Sequence, residues 1–300
     1  MRLRPLRTTS VLTSLAAVLG ASAAAAALGL GAAPASAAPD RGPDRGPGVD
    51  TEVVAHRGSS GVAPENTLAS ARQALRDRAD EIENDVQRSA DGVLVLMHDT
   101  TLARTTDAEQ VFPGRAPWNV GDFTLRELRR LDAGSWFGPE YAGERIPTLA
   151  EWGRVVGNRA DVLIEMKSPS LYPGIARDLD RALAETPFRT ALRRDRLVVQ
   201  SFEIDWLRAY EQASPAVPKG LLYGTRPTPQ QIADAAGWTE WVNPSFRVIE
   251  ESDVDAVQAA GLRIGVYTVN TGVDMRRLVR WGVDAIITDY PQVLRSVLGR

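Results

Sequence analysis

The chain has 300 residues, with 35 lysines and arginines against 38 aspartates and glutamates, two histidines and no cysteine. The lack of cysteine excludes disulfide frameworks, thiolate zinc sites, iron–sulfur clusters and a cysteine nucleophile. A formal net charge of −3 argues against nucleic acid as a partner, and a hydrophobic fraction of 44% is typical of a globular chain rather than a disordered one.

Residues 1–37 have the pattern of a secretory signal peptide. Three arginines stand among the first seven residues, before a long uncharged run that ends in Ala-Ser-Ala at residues 35–37. The length of this run makes an uncleaved membrane anchor the alternative, but its Ala- and Gly-rich composition disfavours a stable span. We therefore expect cleavage after Ala37, secretion, and no stable membrane span in the mature protein.

Residues 38–50 repeat the tetrad Pro-Asp-Arg-Gly and are dominated by proline and glycine. This composition is typical of a flexible linker without a functional role of its own. The folded unit is therefore predicted to span residues 51–300. Its length of about 250 residues is the usual size of a (β/α)₈ barrel.

Eight short runs rich in Val, Ile and Leu are predicted to be β-strands: Val53–Arg57, Ile82–Val86, Val162–Met166, Leu197–Ser201, Gly220–Tyr223, Trp241–Pro244, Ile264–Val269 and Ala285–Thr288. Helical patterns separate most of them, at Leu68–Arg78, Ile175–Ala184, Trp206–Ala213, Pro229–Ala236, Val254–Ala260 and Met275–Trp281. Strands that alternate with helices indicate a parallel sheet, and eight in one domain favour a closed (β/α)₈ TIM barrel. An open doubly wound sheet is the alternative, but no Gly-x-Gly-x-x-Gly motif follows the first strand.

An insertion at about residues 100–147 breaks this alternation between the second and third barrel strands. A strand-like run at Val93–Met97 precedes it, and a helix is predicted at Leu125–Leu131. The interval contains six aromatic residues: Phe112, Trp118, Phe123, Trp136, Phe137 and Tyr141. We favour a small satellite core; the alternative is a cap beside the mouth of the functional site.

Polar side chains concentrate near the carboxyl ends of the first three barrel strands, where barrels place their active sites, and directly after the strand-like run at Val93–Met97. These candidates are His56, Arg57, Glu83, Asp85, His98, Glu165 and Lys167. Glu83 and Asp85 stand two residues apart on one strand, so both point to the same face. Glu165 and Lys167 repeat this spacing on the third strand. Strand-end histidines and arginine-paired carboxylates are also common structural residues, so only their convergence favours a site.

Three carboxylates directed into one barrel mouth repel one another unless a cation lies among them. Oxygen ligands favour Mg²⁺ or Ca²⁺, whereas the scarcity of nitrogen and sulfur ligands disfavours zinc. Arg57 and Lys167 are suited to hold an anionic group, and His56 and His98 can act as acid and base near neutral pH. These residue types together indicate metal-assisted phosphoryl transfer.

Short motifs of distinctive sequence follow one another from Val53 to Pro291. In chain order they are His56-Arg57-Gly58, Pro64-Glu65-Asn66-Thr67, Glu83-x-Asp85-Val86, Asp91-Gly92-Val93, His98-Asp99, Leu102-x-Arg104-Thr105-Thr106, Ile146-Pro147-Thr148-Leu149, Glu165-Met166-Lys167, Gln200-Ser201-Phe202, Thr268-Val269-Asn270 and the run Gly282 to Pro291. Each motif is weak alone, but the ordered set is specific. It resembles the glycerophosphodiester phosphodiesterase family.

The resemblance implies a (β/α)₈ barrel with an insertion after the second strand. It also implies hydrolysis of glycerophosphodiesters, such as glycerophosphocholine, to sn-glycerol 3-phosphate and an alcohol. Carried over by position, His56 and His98 are the implied general acid and base. The implied ligands of one Ca²⁺ or Mg²⁺ are Glu83, Asp85 and Glu165. The implied substrate-binding residues are Arg57, Lys167, Glu65, Phe202 and Tyr267.

Two parts of this carry-over leave alternatives open. Glu65 would support the metal or Arg57, and the residues after it, Asn66 and Thr67, are equally good helix N-caps. The family often has tryptophan where this chain has Tyr267, which preserves a flat wall for the glycerol side but puts the substrate preference in doubt. Phe202 is a second wall or a core residue.

Three other functions are weighed against this one. A phospholipase acting on intact lipid on the same barrel would need an exposed apolar rim on the insertion. A glycosidase also uses paired carboxylates, but the two histidines and Lys167 would have no role in it. A non-catalytic phosphodiester-binding protein should have lost a metal ligand or a histidine, and none is missing.

Overall fold

The computed structural model describes residues 51–300. The predicted signal peptide at residues 1–37 and the predicted linker at residues 38–50 lie outside the described residues, so both stay predictions. Across residues 51–300, no helix is long and apolar enough to cross a membrane.

Eight parallel strands close into a barrel, and one further strand pairs with it antiparallel. In chain order the strands are β1 Glu52–Ala55, β2 Glu81–Arg88, β3 Leu94–Leu96, β4 Asp161–Met166, β5 Leu197–Ser201, β6 Lys219–Tyr223, β7 Trp241–Pro244, β8 Arg263–Val266 and β9 Ala285–Thr288. The sheet runs β1-β9-β8-β7-β6-β5-β4-β2, and pairing of β1 with β2 closes it, while β3 lies on the outer edge of β2. This confirms the predicted (β/α)₈ barrel, and closure rules out the open doubly wound sheet.

Helices surround the barrel. They are α1 Leu68–Arg76, α2 Ala108–Val111, α3 Leu125–Leu128, α4 Leu149–Val156, α5 Ile175–Leu183, α6 Phe188–Leu192, α7 Ile204–Ala213, α8 Pro229–Ala235, α9 Glu251–Ala259, α10 Gly272–Arg280 and α11 Pro291–Val297. The apolar faces of all of these helices except α2 and α3, together with outward-facing strand residues, form one extended core. A smaller cluster inside the barrel includes Val54, Leu163, Trp241 and Ile287. The barrel is therefore a packed body whose chemistry is confined to its ends.

The segment between β3 and α4 has an apolar cluster of its own, which includes Phe112, Phe123, Leu128 and Ile146. Trp118 packs against this cluster, so three of the six aromatic residues belong to a satellite core. The other three form a separate edge-to-face series, in which the ring of Phe137 lies 5.6 Å from those of Trp136 and Tyr141. The Tyr141 hydroxyl donates to the Val62 carbonyl at 2.9 Å, which fixes this series to the loop after β1.

Backbone conformation explains where predicted and observed elements differ. Predicted strand 1 continues to Arg57, but β1 ends at Ala55 because Arg57 has a φ of +55°, which no strand accommodates. Helix α1 ends at Arg76 rather than Arg78 for the same reason, since Arg78 has a φ of +58°. Predicted strand 7 continues to Val269, whereas β8 ends at Val266.

The sequence pattern does not predict helices α2, α4, α6 and α11. The sequence at the start of α4 nevertheless contains a recognisable N-capping motif. The Thr148 side chain accepts a hydrogen bond from the Glu151 amide, and the Glu151 carboxylate accepts one from the Thr148 amide. This reciprocal pair is a capping box, which is recognisable from a Thr followed by a Glu three residues later.

Glu81 is a buried carboxyl group at the amino-terminal end of the barrel. Its side chain lines a small cavity together with Val54, Leu163 and Trp241. Burial raises its pKa well above the ordinary value of 4.5, and the charges of Glu52 and Asp161 raise it further. A raised pKa means that the folded state retains the proton when the unfolded state has lost it, so this group costs stability as pH rises above about 4.5.

We expect Glu81→Gln to raise the melting temperature at pH 8, because it removes a carboxyl group whose ionisation opposes folding. The gain should shrink at pH 5, where the carboxyl is protonated in the folded wild type. Each kcal/mol corresponds to about 2–4 °C for a domain of this size. Thermal denaturation at both pH values measures this, with the exposed Glu109→Gln as the control. A gain of the same size at pH 5 and pH 8 would contradict the explanation.

Candidate active site

Three carboxylates meet at the carboxyl ends of β2 and β4. Glu83, Asp85 and Glu165 each present an oxygen atom, and these atoms all lie within 4.8 Å of one another. The parallel pairing of β2 with β4 sets Asp85 beside Glu165, and Glu83 lies two residues before Asp85 on the same face. All three side chains are buried, with at most 5% of each residue exposed. We call this group the acidic trio.

Two members of the acidic trio have an oxygen atom that accepts no hydrogen bond from any residue in the range 51–300. These atoms are Glu83 Oε1 and Asp85 Oδ1. The Lys167 ammonium lies 3.3 Å from Asp85 Oδ1 and is in close contact, at 2.5 Å, with Glu165 Oε1. Converging buried carboxylate oxygens, two of them without a hydrogen bond, are what a divalent cation of the Mg²⁺ or Ca²⁺ type requires, so the trio fits such an ion.

The electrostatics of the trio also favour a cation. Burial raises the pKa of Glu83 well above its ordinary value, and the charges of Asp85 and Glu165 add to this. Burial likewise raises the pKa of Glu165 to about 7, against the opposing charge of Lys167. Burial also opposes ionisation of Asp85, but Lys167 and Arg57 hold the pKa of Asp85 below its ordinary range. Three carboxylates therefore do not ionise together here without further positive charge.

Backbone and amide groups fix the trio from the side of β1. The Asn66 amide donates to Asp85 Oδ2 at 2.7 Å, and Asn66 Oδ1 accepts from the Asp85 backbone N–H at 3.0 Å. The backbone N–H of Arg57 donates to Glu83 Oε2 at 2.7 Å. Thr67, rather than Asn66, caps α1, because its side chain accepts from the backbone N–H of Ser70. Of the two residues predicted as possible N-caps, one caps the helix and the other holds a carboxylate of the trio.

Arg57 extends from the loop after β1 into the acidic group. Its Nη1 donates to Glu65 Oε1 at 2.9 Å, and its Nε lies 3.1 Å from Asp85 Oδ2. Glu65 is shared with Arg104, whose two Nη atoms contact its carboxylate oxygens at 2.7 and 2.8 Å. Burial opposes ionisation of Glu65, but the hydrogen bonds from Arg104 and the charge of Arg57 lower its pKa. Glu65 therefore supports Arg57, the second of the two roles predicted for it, and lies outside the acidic trio.

His56 is oriented by a carboxylate from the other end of the chain. Its Nδ1 lies 2.6 Å from Asp289 Oδ1. Asp289 also accepts from the Ser60 hydroxyl at 2.9 Å and from the Asn270 amide at 2.5 Å. Burial opposes ionisation of Asp289, but the hydrogen bond from His56 lowers its pKa. Because the carboxylate accepts a hydrogen bond from Nδ1–H, it leaves Nε2 of His56 as the nitrogen available for proton transfer.

His98 has the same arrangement with a different carboxylate. Its Nδ1 lies 2.6 Å from Asp99 Oδ1, and Arg104 Nε donates to Asp99 Oδ2 at 2.6 Å. The hydrogen bond from Arg104 lowers the pKa of Asp99 to about 2, so this carboxylate is ionised. Burial lowers the pKa of His98, and the positive charges of Arg57 and Lys167 add to the effect although Asp85 opposes it. Both histidines are thus paired with carboxylates through Nδ1.

Two aromatic side chains stand beside Lys167. The rings of Phe202 and Tyr267 meet edge to face at 5.8 Å, and the Lys167 ammonium lies 5.6 Å from the centre of the Phe202 ring. Phe202 is 45% exposed, so it is not a core residue. The Tyr267 hydroxyl donates to the Tyr223 carbonyl at 2.9 Å, which fixes its ring. Both positions therefore border the charged group on the side of β5 and β8.

The structure brings all ten predicted site residues into this one region and adds residues that the sequence did not assign. The supporting residues are Ser60, Asn66, Asp99, Arg104, Asn270 and Asp289. All of these except Ser60 belong to the ordered motifs, and membership in a motif is the only sequence feature that marks them. A separate cavity of about 900 Å³ opens at the amino-terminal end of the barrel, but it contains neither histidine and no residue of the acidic trio.

Comparison with known proteins agrees with this geometry. The model of the Glycerophosphoryl diester phosphodiesterase family matches residues 56–293. A glycerophosphodiester phosphodiesterase of Bacillus subtilis is 34% identical over 257 residues, which cover 81% of this chain and 85% of that protein. One of Caldanaerobacter subterraneus subsp. tengcongensis is 38% identical over 258 residues, which cover 83% of this chain and 98% of that protein.

The barrel also superimposes on solved structures. A phosphodiesterase of Oleispira antarctica, in complex with the product sn-glycerol-3-phosphate, has a TM-score of 0.74 and 30% sequence identity, covering 83% of this chain and 97% of that one. The family match extends over most of the chain, and the two relatives exceed 30% identity over more than four fifths of it. The chain therefore belongs to the glycerophosphodiester phosphodiesterase family of enzymes.

Proposed function

We propose that this protein hydrolyses glycerophosphodiesters, such as glycerophosphocholine, to sn-glycerol 3-phosphate and an alcohol. The observation that carries the proposal is the acidic trio in one region with two carboxylate-paired histidines, with Arg57 and Lys167 beside it. The names of the relatives from Bacillus subtilis and Caldanaerobacter, and the product in the Oleispira antarctica structure, support the same substrate class.

Glu83, Asp85 and Glu165 would hold one Ca²⁺ or Mg²⁺ through the carboxylate oxygen atoms that lie within 4.8 Å of one another. Such a cation, when bound, supplies positive charge that stabilises the negative charge developing on phosphate oxygens. Asn66 and the backbone N–H of Arg57 keep two of the three carboxylates in place by occupying their other oxygens. Hydrogen-bond partners of this kind orient the ligands of a metal site and influence the affinity of the site for the metal.

Arg57 and Lys167 bind the anionic phosphodiester in this proposal. The Arg57 guanidinium is planar and held by Glu65, so its geometry is set before substrate arrives. Burial opposes protonation of Lys167, but Asp85 and Glu165 raise the pKa of Lys167, so the ammonium stays charged at neutral pH. Phe202 and Tyr267 form a wall against which the glycerol side of the substrate packs.

The two histidines perform acid–base catalysis in this proposal. One accepts the proton of the nucleophile at Nε2, and the other donates a proton from Nε2 to the leaving alkoxide. Asp289 and Asp99 hold the two rings by their Nδ1 atoms, which keeps each Nε2 free for this purpose. Each such group typically contributes about 10²–10⁴-fold. Water and the 2-hydroxyl of the substrate are both chemically competent nucleophiles, and trapping a cyclic glycerophosphate would distinguish them.

The alternatives receive less support. Three of the six aromatic residues of the insertion belong to its satellite core, and only Trp136 among the six is an exposed residue, at 40%. This argues against a broad apolar rim for intact lipid. A binding protein without activity is disfavoured because the trio and both histidines are complete.

We further propose that the protein is secreted after cleavage behind Ala37, which the mass of the exported protein would test.

The first test is the release of sn-glycerol 3-phosphate from glycerophosphocholine by the purified protein. We expect activity that EDTA abolishes and Ca²⁺ or Mg²⁺ restores. His56→Ala and His98→Ala should each lose about 10²-fold or more, because each removes one proton-transfer group. A folded protein that binds metal but releases nothing from several glycerophosphodiesters would overturn the proposal, and phosphatidylcholine vesicles would then test the phospholipase alternative.

Metal binding by the trio is measured with Ca²⁺ alone, by calorimetry on the purified protein. We expect Glu83→Gln and Asp85→Asn to weaken the affinity by more than about 100-fold, because each removes a charged oxygen ligand. Glu81→Gln is the matched control, since Glu81 lies on the same face of β2 but at the opposite end of the barrel. Equal binding by all three variants would show that the trio is not the metal site.

Asp289→Asn should lower kcat by about 10²-fold or more while leaving Ca²⁺ binding unchanged. The amide no longer selects the His56 tautomer that carries its proton on Nδ1, and loss of an orienting carboxylate has large effects in other histidine-dependent enzymes. The control is Asp255→Asn, on the exposed face of α9. An unchanged kcat would mean that the Asp289 contact does not orient His56 during the reaction.

A further inference from the structure

Gln87 is a buried side chain next to the site with no role in the mechanism above. It lies on β2 two residues after Asp85, so its side chain leaves the strand on the same face as Glu83 and Asp85. None of its surface is exposed. A fully buried primary amide needs hydrogen-bond partners for both its N–H groups and its carbonyl oxygen, so the identity of those partners shows what the residue holds.

The amide nitrogen of Gln87 contacts the backbone carbonyls of three consecutive residues. Its Nε2 lies 2.8 Å from the Met97 oxygen, 3.3 Å from the His98 oxygen and 2.6 Å from the Asp99 oxygen. A primary amide has two N–H groups, so the two short contacts, to Met97 and Asp99, take one each. The longer contact, to the His98 carbonyl, shares one of these two N–H groups. The peptide segment that carries His98, and the carboxylate paired with it, is thus fixed on both sides of the histidine.

The carbonyl end of the same amide is held from β4. Gln87 Oε1 accepts a hydrogen bond from the Tyr172 hydroxyl at 2.8 Å, and Tyr172 follows the short turn after β4. The Arg88 guanidinium lies 5.8 Å from the centre of the Tyr172 ring. The backbone carbonyls require donors, and the Tyr172 hydroxyl requires an acceptor. Only one orientation of the Gln87 amide therefore satisfies all of these contacts.

The segment after β3 depends on such contacts because it forms neither helix nor strand at residues 97–100. Its backbone is joined to β2 by the bond from the Met97 N–H to the Asp85 carbonyl, at 3.0 Å. Gln87 adds the contacts that reach His98 and Asp99 themselves. Strand β2, which carries Glu83 and Asp85, thereby also sets the distance of His98 from these two carboxylates.

We propose that Gln87 is a positioning residue for His98, and that Tyr172 fixes the orientation of its amide. The catalytic part of this inference rests on the proposed function, because it takes His98 as a proton-transfer group. Glutamine is the residue that this position requires: a glutamate of the same size would place oxygen atoms against three carbonyls, and leucine would leave all three carbonyls without a donor.

The test compares Gln87→Leu, Gln87→Glu and Tyr172→Phe with the wild type, using glycerophosphocholine hydrolysis and NMR of ¹⁵N-labelled histidine side chains. The chain has two histidines, so a protein purified without a histidine tag gives one set of imidazole signals for each. The His98→Ala variant assigns them. The matched control is Gln258→Leu, since Gln258 donates to the Gly282 carbonyl and to Asp284 at the opposite end of the barrel.

We expect both Gln87 variants to lower kcat by about 10–10²-fold with little change in KM, because a displacement of about 1 Å of a catalytic group has effects of this size. The His98 signals should shift or broaden while those of His56 stay in place. Tyr172→Phe keeps the Nε2 contacts, so its loss should be smaller and in the same direction. Gln258→Leu should change neither kcat nor the His98 signals.

Unchanged His98 signals and unchanged kcat in folded Gln87→Leu would overturn the inference. Equal shifts of both histidines would also overturn it, since they indicate general loosening rather than positioning. If Gln87→Leu does not fold, the smaller, His98-selective change in Tyr172→Phe decides the question. A wild type without activity on any glycerophosphodiester would refute the proposed function, and the selective response of the His98 signals would still test the structural contact.

Discussion

The concentration of negative charge at the ends of β2 and β4 is the constraint on which the rest of the site depends. The register that sets Asp85 beside Glu165, with Glu83 on the same face, buries three carboxylates within 4.8 Å of one another. Such an arrangement is unfavourable unless positive charge compensates it. Arg57 and Lys167 supply part of that charge, and the converging oxygen atoms of the trio could hold a metal ion that supplies the rest.

The surrounding charges form a continuous series rather than isolated pairs. Acidic and basic groups alternate from the trio to the second histidine, in the order Asp85, Arg57, Glu65, Arg104, Asp99 and His98. Exposed ion pairs contribute little to stability individually, and Arg104 is about half exposed. The series is better understood as fixing geometry, because Arg104 holds both Glu65 and Asp99 with two contacts each. The other neighbours in the series are joined by single contacts of 2.6–3.1 Å.

The barrel could be predicted because its signals are local. Runs such as Leu197–Ser201 and Ala285–Thr288 coincide with observed strands, since strands buried on both faces are rich in β-branched and aliphatic residues. Helices with short or mixed apolar patterns, such as Phe188–Leu192 and Pro291–Val297, were missed because their burial comes from neighbouring elements. Strand β1 ended early because the left-handed backbone of Arg57 is set by its contacts with Glu83, Glu65 and Asp85.

The sequence by itself determined the fold class, the ten candidate site residues and the chemistry that a trio of carboxylates with two histidines permits. Only the tertiary structure decided which side chains form hydrogen bonds and ion pairs with one another. Asp289 lies 233 residues from His56 along the chain, and Tyr172 lies 85 from Gln87, yet each pair is in hydrogen-bonding contact. Periodicity and motif order report on residues that are close in sequence, whereas these contacts exist because closure of the barrel brings distant strand ends to one face.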